Sequence, residues 1–214
     1  MMKCLALALS LIAPAAAWAD TPPAGTYTYV VEHPDHGEIG TYTNVIQPAG
    51  DRITVESQFK VRVGIGPLTL YREEADRREE WEDGRLVSYD SKSVKNGEDR
   101  LVEGRAEGDR FIVRSGDRTR EAPAGVWPMN PWSPELIDAQ AVLTWRSGKV
   151  HPAQVADVGM DTITLNGKPI EARHYRLKAD DETYDIWFDA EGRLARFTAP
   201  EKGGAVMFTL VESP

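Results

Sequence analysis

Reversal signals recur along this chain at intervals too short for long helices to fit between them, and that spacing limits the fold more than any other feature. Pro48-Ala49-Gly50-Asp51, Glu82-Asp83-Gly84-Arg85, Lys95-Asn96-Gly97-Glu98, Glu107-Gly108-Asp109, Ser115-Gly116-Asp117, Leu165-Asn166-Gly167-Lys168, Lys178 to Asp181 and Asp189 to Gly192 all carry turn residues. Such residues tolerate positive φ or bond their own backbone, so each segment allows a tight antiparallel reversal. Asn96-Gly97 and Asn166-Gly167 are the strongest signals, because a type I′ turn needs positive φ at both central residues.

Between the turns, apolar and polar residues alternate. Over Arg52 to Val63, Ile53, Val55, Phe59, Val61 and Val63 share one face, while Arg52, Thr54, Glu56, Gln58, Lys60 and Arg62 share the other. At about 3.3 Å per residue this strand runs roughly 40 Å, a length that suits a curved sheet or barrel wall. The expected fold is all-β and mainly antiparallel: a curved meander sheet or half-barrel of about twelve strands with one short central helix, the alternative being a closed, lipocalin-like barrel. The helix is expected from Pro134 to near Val142, since Ser133 can cap it, Pro134 fits the first helical position and Glu135 faces the positive end of the dipole. Leu136, Ile137, Ala141 and Leu143 would form its apolar side.

Glu73 to Glu80 reads two ways. Glu73 with Arg77 and Glu74 with Arg78 are helical i,i+4 pairs, yet the segment continues Leu68-Thr69-Leu70-Tyr71 toward a turn. Strand is the favoured reading. A strand polar on both faces implies an edge, a rim or a wet concave surface. The turns at Trp81 to Leu86 and Trp187 to Leu194 echo one another, as any hairpin ending in a left-handed glycine does, or as two meander halves about the central helix would.

Residues 1–19 read as a cleaved signal peptide. Lys3 gives the positive start, Cys4 to Ala17 the apolar stretch, and Ala17-Trp18-Ala19 the small-x-small cleavage pattern before Asp20. The apolar run falls short of the roughly 20 residues that cross a bilayer and contains Pro14. Residues 20–214 are then expected as a single β-rich domain, periplasmic or alternatively extracellular, and not membrane-spanning after cleavage. One lysine and no acid leave with the signal, taking the net charge from −9 to −10. That surface repels nucleic acid and anionic headgroups at long range. Cys4 is the only cysteine, so the mature chain has no thiol nucleophile, disulfide or thiolate metal ligand.

Several clusters can be weighed for chemistry. His33 and His36 lie in Glu32-His33-Pro34-Asp35-His36-Gly37-Glu38, the nearest approach to a metal motif, but Pro34 and Gly37 make this a polar reversal and no metal is expected. No cofactor is expected either. His151 and His174 have no partner identifiable from sequence, and no Gly-x-Ser-x-Gly elbow is present. Glu82-Asp83, Asp180-Asp181-Glu182 and Asp189-Ala190-Glu191 stand at turn tips, where carboxylates are solvated, whereas glycosidase pairs are held across a cleft. Thus no catalytic residue is assigned. Val126-Trp127-Pro128-Met129-Asn130-Pro131-Trp132-Ser133-Pro134 is the most unusual stretch: either Trp127 and Trp132 plug one end of the sheet, or Trp127, Met129, Trp132 and Leu136 form a lid over an apolar ligand.

The signal peptide, Gly40, Gly64-Ile65-Gly66-Pro67, the Trp81 to Leu86 turn, Trp132-Ser133-Pro134 and the Trp187 to Leu194 turn together resemble an uncharacterised proteobacterial family of secreted, β-rich periplasmic proteins of unknown function. That resemblance implies no activity or site residues. In architecture the chain is similar to the half-barrels of lipoprotein carriers, although its charged strand departs from their apolar wall. The expectation is a periplasmic, non-enzymatic binding or carrier protein for a small apolar, lipid-like or amphipathic ligand. Its alternative is an envelope protein–protein interaction module with a filled core, and a hydrolase comes last.

Overall fold

A computed structural model of the protein describes residues 21–65, 68–201 and 204–214. The expected signal peptide lies outside the described residues, as do Gly66 and Pro67 of the glycine-rich segment. The first half of the chain is an up-and-down meander of β1 (Gly25–His33), β2 (Gly37–Ala49), β3 (Arg52–Ile65), β4 (Leu68–Glu82), β5 (Arg85–Lys95), β6 (Glu98–Glu107), β7 (Arg110–Ser115) and β8 (Arg118–Pro123). Two short strands, β9 (Val126–Pro128) and β10 (Ala141–Leu143), flank a 3₁₀ helix at Pro134–Asp138. A second meander follows: β11 (Val150–Leu165), β12 (Lys168–Ala179), β13 (Glu182–Phe188), β14 (Leu194–Glu201) and β15 (Gly204–Glu212).

The two meanders are joined where β15 returns to pair with β1, Tyr29 opposite Leu210 and Val31 opposite Phe208. One sheet of fifteen strands results, antiparallel throughout except at the parallel pair β9–β10. It curls into a nearly closed barrel, and the β10–β11 loop helps draw the meanders together. Ser91 Oγ on β5 donates to the Trp145 carbonyl at 2.9 Å, and Arg146 lies 3.8 Å from Glu73 and 3.6 Å from Glu98.

The turn chemistry explains the hairpins. Asn96 and Asn166 both sit at φ 50°, followed by Gly97 at 88° and Gly167 at 75°, as type I′ turns require. The alternation in β3 also holds: Val55 and Val61 are buried, Ile53, Phe59 and Val63 half-buried, and Glu56, Lys60 and Arg62 exposed. Inward-facing Tyr27, Tyr29 and Val31 on β1 join Leu86, Phe111, Leu177, Ile186 and Phe188 in a shared core.

Three expectations are corrected. The described residues form fifteen strands, not about twelve, partly because β9 and β10 have only three residues each and show no alternation. The central helix stops at Asp138 and does not reach Val142. Ser133 does cap it, accepting from Glu135 N at 3.3 Å, but Gln140 N donates to Gly125 O at 2.9 Å and Ala153 N to Gln140 O at 3.1 Å. The neighbouring chain therefore takes the backbone groups that a longer helix would have used internally. Finally, β4 is a strand but no edge: β3 and β5 hydrogen-bond it on both sides, and its polar inner face is buried. Among the described residues no helix is long and apolar enough to cross a membrane.

Gly40 is fixed by close approach rather than by φ. A Cβ there would run into the carbonyl oxygen of Lys60 and lie 2.8 Å from the Val61 Cα on β3. Gly40→Ala is expected to lower stability by about 1–3 kcal/mol in urea unfolding, because backbone must shift to admit the methyl. A loss below measurement error would show that β2 and β3 separate freely at this rung.

Candidate functional site

The inner face of β4 changes character along its length, and the register carries that change around the wall. Tyr71 stands opposite Val63, Glu73 opposite Val61, Ala75 opposite Phe59, Arg77 opposite Ser57, Glu79 opposite Val55 and Trp81 opposite Ile53. On the far side of β3, Tyr42 meets Phe59 and Asn44 meets Ser57. The barrel interior is therefore stratified: a largely apolar upper part, a polar layer at Arg77, Ser57, Asn44 and Tyr42, and below it the tryptophans.

Glu79 lies at the base of the polar layer and is 0% exposed. Its Oε2 accepts from both Trp81 Nε1 and Trp132 Nε1 at 3.0 Å, and its Oε1 accepts from Asn130 Nδ2 at 2.8 Å. Asn130 Nδ2 also donates to Ser57 Oγ at 3.1 Å, while Asn130 Oδ1 accepts from Asn44 Nδ2 at 3.2 Å and from the Tyr42 hydroxyl. Ser57 Oγ in turn donates to Asn44 Oδ1 at 2.7 Å. Around this knot the rings of Trp81, Trp127 and Trp132 pack with centroids 4.2 to 5.6 Å apart. Burial pushes the Glu79 carboxyl up to about 7, against the three donors and Arg77, which favour the charged form.

Above the knot lies a cavity of about 470 Å³. Ile39, Phe59, Val61, Phe197, Val206 and Phe208 supply apolar wall, and exposed His36, Leu70 and Glu201 stand at its mouth. Arg77 lines it from the deep end and is 7% exposed. Its guanidinium carbon sits 5.2 Å from the Tyr42 ring centroid and 5.7 Å from that of Trp145, within cation–π range. Burial works against the Arg77 charge, but Tyr42, Tyr89 and Glu79 more than offset it and the pKa is raised. Glu73, also facing the cavity, has the Tyr71 hydroxyl and Arg146 beside it.

The expected ligand contacts divide. Met129 lines the cavity, whereas Trp127, Trp132 and Leu136 are buried in the core outside its lining. The aromatic loop thus holds the arrangement of a plug, with Trp127 Nε1 donating to Asn130 O at 3.1 Å. His33 and His36 come together at the mouth, ring centroids 4.8 Å apart. Among the described residues no three His, Cys, Asp or Glu side chains are grouped as a metal site. The partners that sequence left unidentified are acids on nearby strands and turns: His174 Nε2 lies 2.7 Å from Asp185 Oδ1 while its ring stacks on Trp187, and His151 Nδ1 lies 3.5 Å from Asp180. Of the acidic turns, Glu82 is engaged by Arg52 at 2.7 Å, and Asp189 accepts from Glu191 N, Arg193 N and Arg193 Nε within its own loop. Sequence reasoning did not reach Arg77, Glu79, Asn130, Asn44 and Tyr42. The usable signal was parity: Trp81 shares the odd positions of β4 with Glu73, Arg77 and Glu79, so a buried tryptophan points the charges inward too.

The fold and its interior define a β-barrel-like protein with a plugged lower end and an open apolar chamber. The chain belongs to the family described as a domain of unknown function, DUF6134, whose model matches residues 29–211. Among solved structures it is similar to a beta-barrel-like protein of the domain of unknown function DUF1849 from Brucella abortus, at 13% identity and a TM-score of 0.62, covering 91% of this chain and 98% of that one. A DUF1089 family protein from Pseudomonas aeruginosa aligns at 14% identity over 96% of each chain, with a TM-score of 0.33. The first likeness is one of fold alone. No curated protein matches the sequence.

Two expectations test the knot. Glu79 binds its proton more tightly in the folded chain than its ordinary value of 4.5 implies, so its contribution is complete below that value and is lost as pH rises toward about 7. Stability in urea should fall across that window, and Glu79→Gln should flatten the fall; an unchanged slope would place the titration elsewhere. Trp132→Phe removes one of the two indole donors to Oε2 and should cost about 2 kcal/mol or more. A neutral outcome would mean that the bond contributes nothing beyond packing.

Proposed function

We propose that the protein is a non-enzymatic binding or carrier protein that takes a small apolar or amphipathic molecule into the chamber above the tryptophan plug. The observation that carries this reading is the unfilled, predominantly apolar volume of about 470 Å³ inside the barrel. Its size falls within the range of small-molecule sites, and antiparallel barrels commonly enclose such cavities. Met129, Pro131 and Trp145 of the central segment form part of its wall, so the segment shapes the chamber rather than closing over it. The unfilled volume speaks against a filled-core interaction module. The proposed setting is the periplasm, on the strength of the signal-like residues 1–19, with secretion to the medium as the alternative.

A neutral apolar dye such as N-phenylnaphthylamine should brighten on binding the purified protein and be displaced by organic extract of a gently purified sample. Ala199→Trp, which puts an indole into the chamber wall, should weaken dye binding several-fold, at a cost in urea of no more than about 1–3 kcal/mol. Absence of dye binding together with absence of any co-purifying molecule would end the carrier reading.

A further inference from the structure

The apolar chamber contains a buried cation, Arg77, that forms no ion pair among the described residues. Arg77 is 7% exposed, its Nε has no hydrogen-bond partner, and no carboxylate of the described residues lies within ion-pair distance of it. Ring faces of Tyr42 and Trp145 flank it instead. Burying a cation at a distance from any carboxylate is costly; Tyr42, Tyr89 and Glu79 offset that cost within the barrel, and an anion entering the chamber would add to them. The other acids near the chamber are engaged elsewhere. Glu73 has Arg146 at 3.8 Å and the Tyr71 hydroxyl; Glu79 is held by Trp81, Trp132 and Asn130 below the floor; Glu201 stands exposed at the mouth.

Resting on the binding reading above, we infer that the ligand is an amphiphile with one negative charge, a monocarboxylate, whose head seats on Arg77 and whose tail runs along Phe59, Phe197, Val206 and Phe208 toward the mouth. The geometry sets the direction. Leu70 is exposed at the mouth and Arg77 follows it by seven residues on the same strand, at most about 23 Å along the chain and less in depth, because barrel strands are tilted. A head at the deep end and an apolar tail toward the opening fill the chamber in the one orientation that meets the charge. A guanidinium matches a carboxylate with paired N–H donors. A dianionic phosphate monoester suits the site less well, because its second charge would add to the repulsion from Glu73, the carboxylate that lines the chamber on the same strand.

The test is displacement of N-phenylnaphthylamine from the full chain by dodecanoate, dodecanol and dodecyl phosphate, three probes with one tail and different heads. Dodecanoate should bind at least about ten-fold more tightly than dodecanol, the scale of one hydrogen bond to a charged group. Arg77→Met should abolish that preference while still binding dodecanol, and Arg77→Lys, which keeps the charge, should retain part of it. Equal affinity for dodecanoate and dodecanol in the unaltered protein would overturn the inference and leave the binding reading standing, as would tightest binding of dodecyl phosphate. Failure of the dye and all three probes to bind would remove both. Should Arg77→Met fail to fold, the head-group preference of the unaltered protein and of Arg77→Lys decides the matter.

Discussion

The structure depends on one buried carboxylate. Glu79 is removed from water in the middle of the barrel, where an ionisable group is tolerated only if its oxygens are hydrogen-bonded. Its three donors come from two distant stretches: Trp81 from β4 itself, and Asn130 and Trp132 from the loop between β9 and β10. Satisfying Glu79 therefore means drawing that loop into the barrel, and the loop brings Trp127 with it. Polar bonds set the position of the plug and the three indoles fill the space around it. Asn130 extends the same constraint to β2 and β3 through Asn44 and Ser57, so that the floor is cross-braced across three strands.

The height of that floor determines whether there is a chamber. Moving up β4 from Trp81, the plug fills the interior as far as the Asn130 layer, and the wall above it is lined by side chains that do not reach across. The meanders keep their separation there because the β1–β15 seam and the β10–β11 loop join them on opposite sides. A longer central helix would have changed this. By ending at Asp138, the chain frees Ala141–Leu143 to run as a strand beside β11, which leads Thr144 and Trp145 to the chamber wall.

Much of this fold is legible in the sequence, for local reasons. The Asn-Gly turns and the β3 alternation are properties of neighbouring residues, and neighbours are enough to set them. The charged strand shows where such reasoning ends. Periodicity established that β4 is polar on both faces, but whether its inner carboxylates are wet or dry depends on Trp132 and Asn130, some fifty residues away. The same applies to Trp127 and Trp132, whose composition favours a plug but also allows a ligand lid. Only the acceptor at Glu79 separates the two. The 3₁₀ helix has correct start signals, and its early end is set by Gly125 and Ala153, which no cap rule reads.

The plug and the chamber are coupled through a single strand. Arg77 and Glu79 are two residues apart on the same inner face, so one side chain faces up into the chamber while the next faces the knot below. Their charges favour one another: Arg77 lowers the proton affinity of Glu79, and Glu79 supports the charge on Arg77. Neutralising Arg77 would thus leave Glu79 more strongly protonated, turning an acceptor in the knot into a partial donor beside two indole N–H groups. An anion resting on Arg77, as inferred above, would act in the same sense by offsetting its field. The plug and the chamber share one pair of adjacent inward positions on β4.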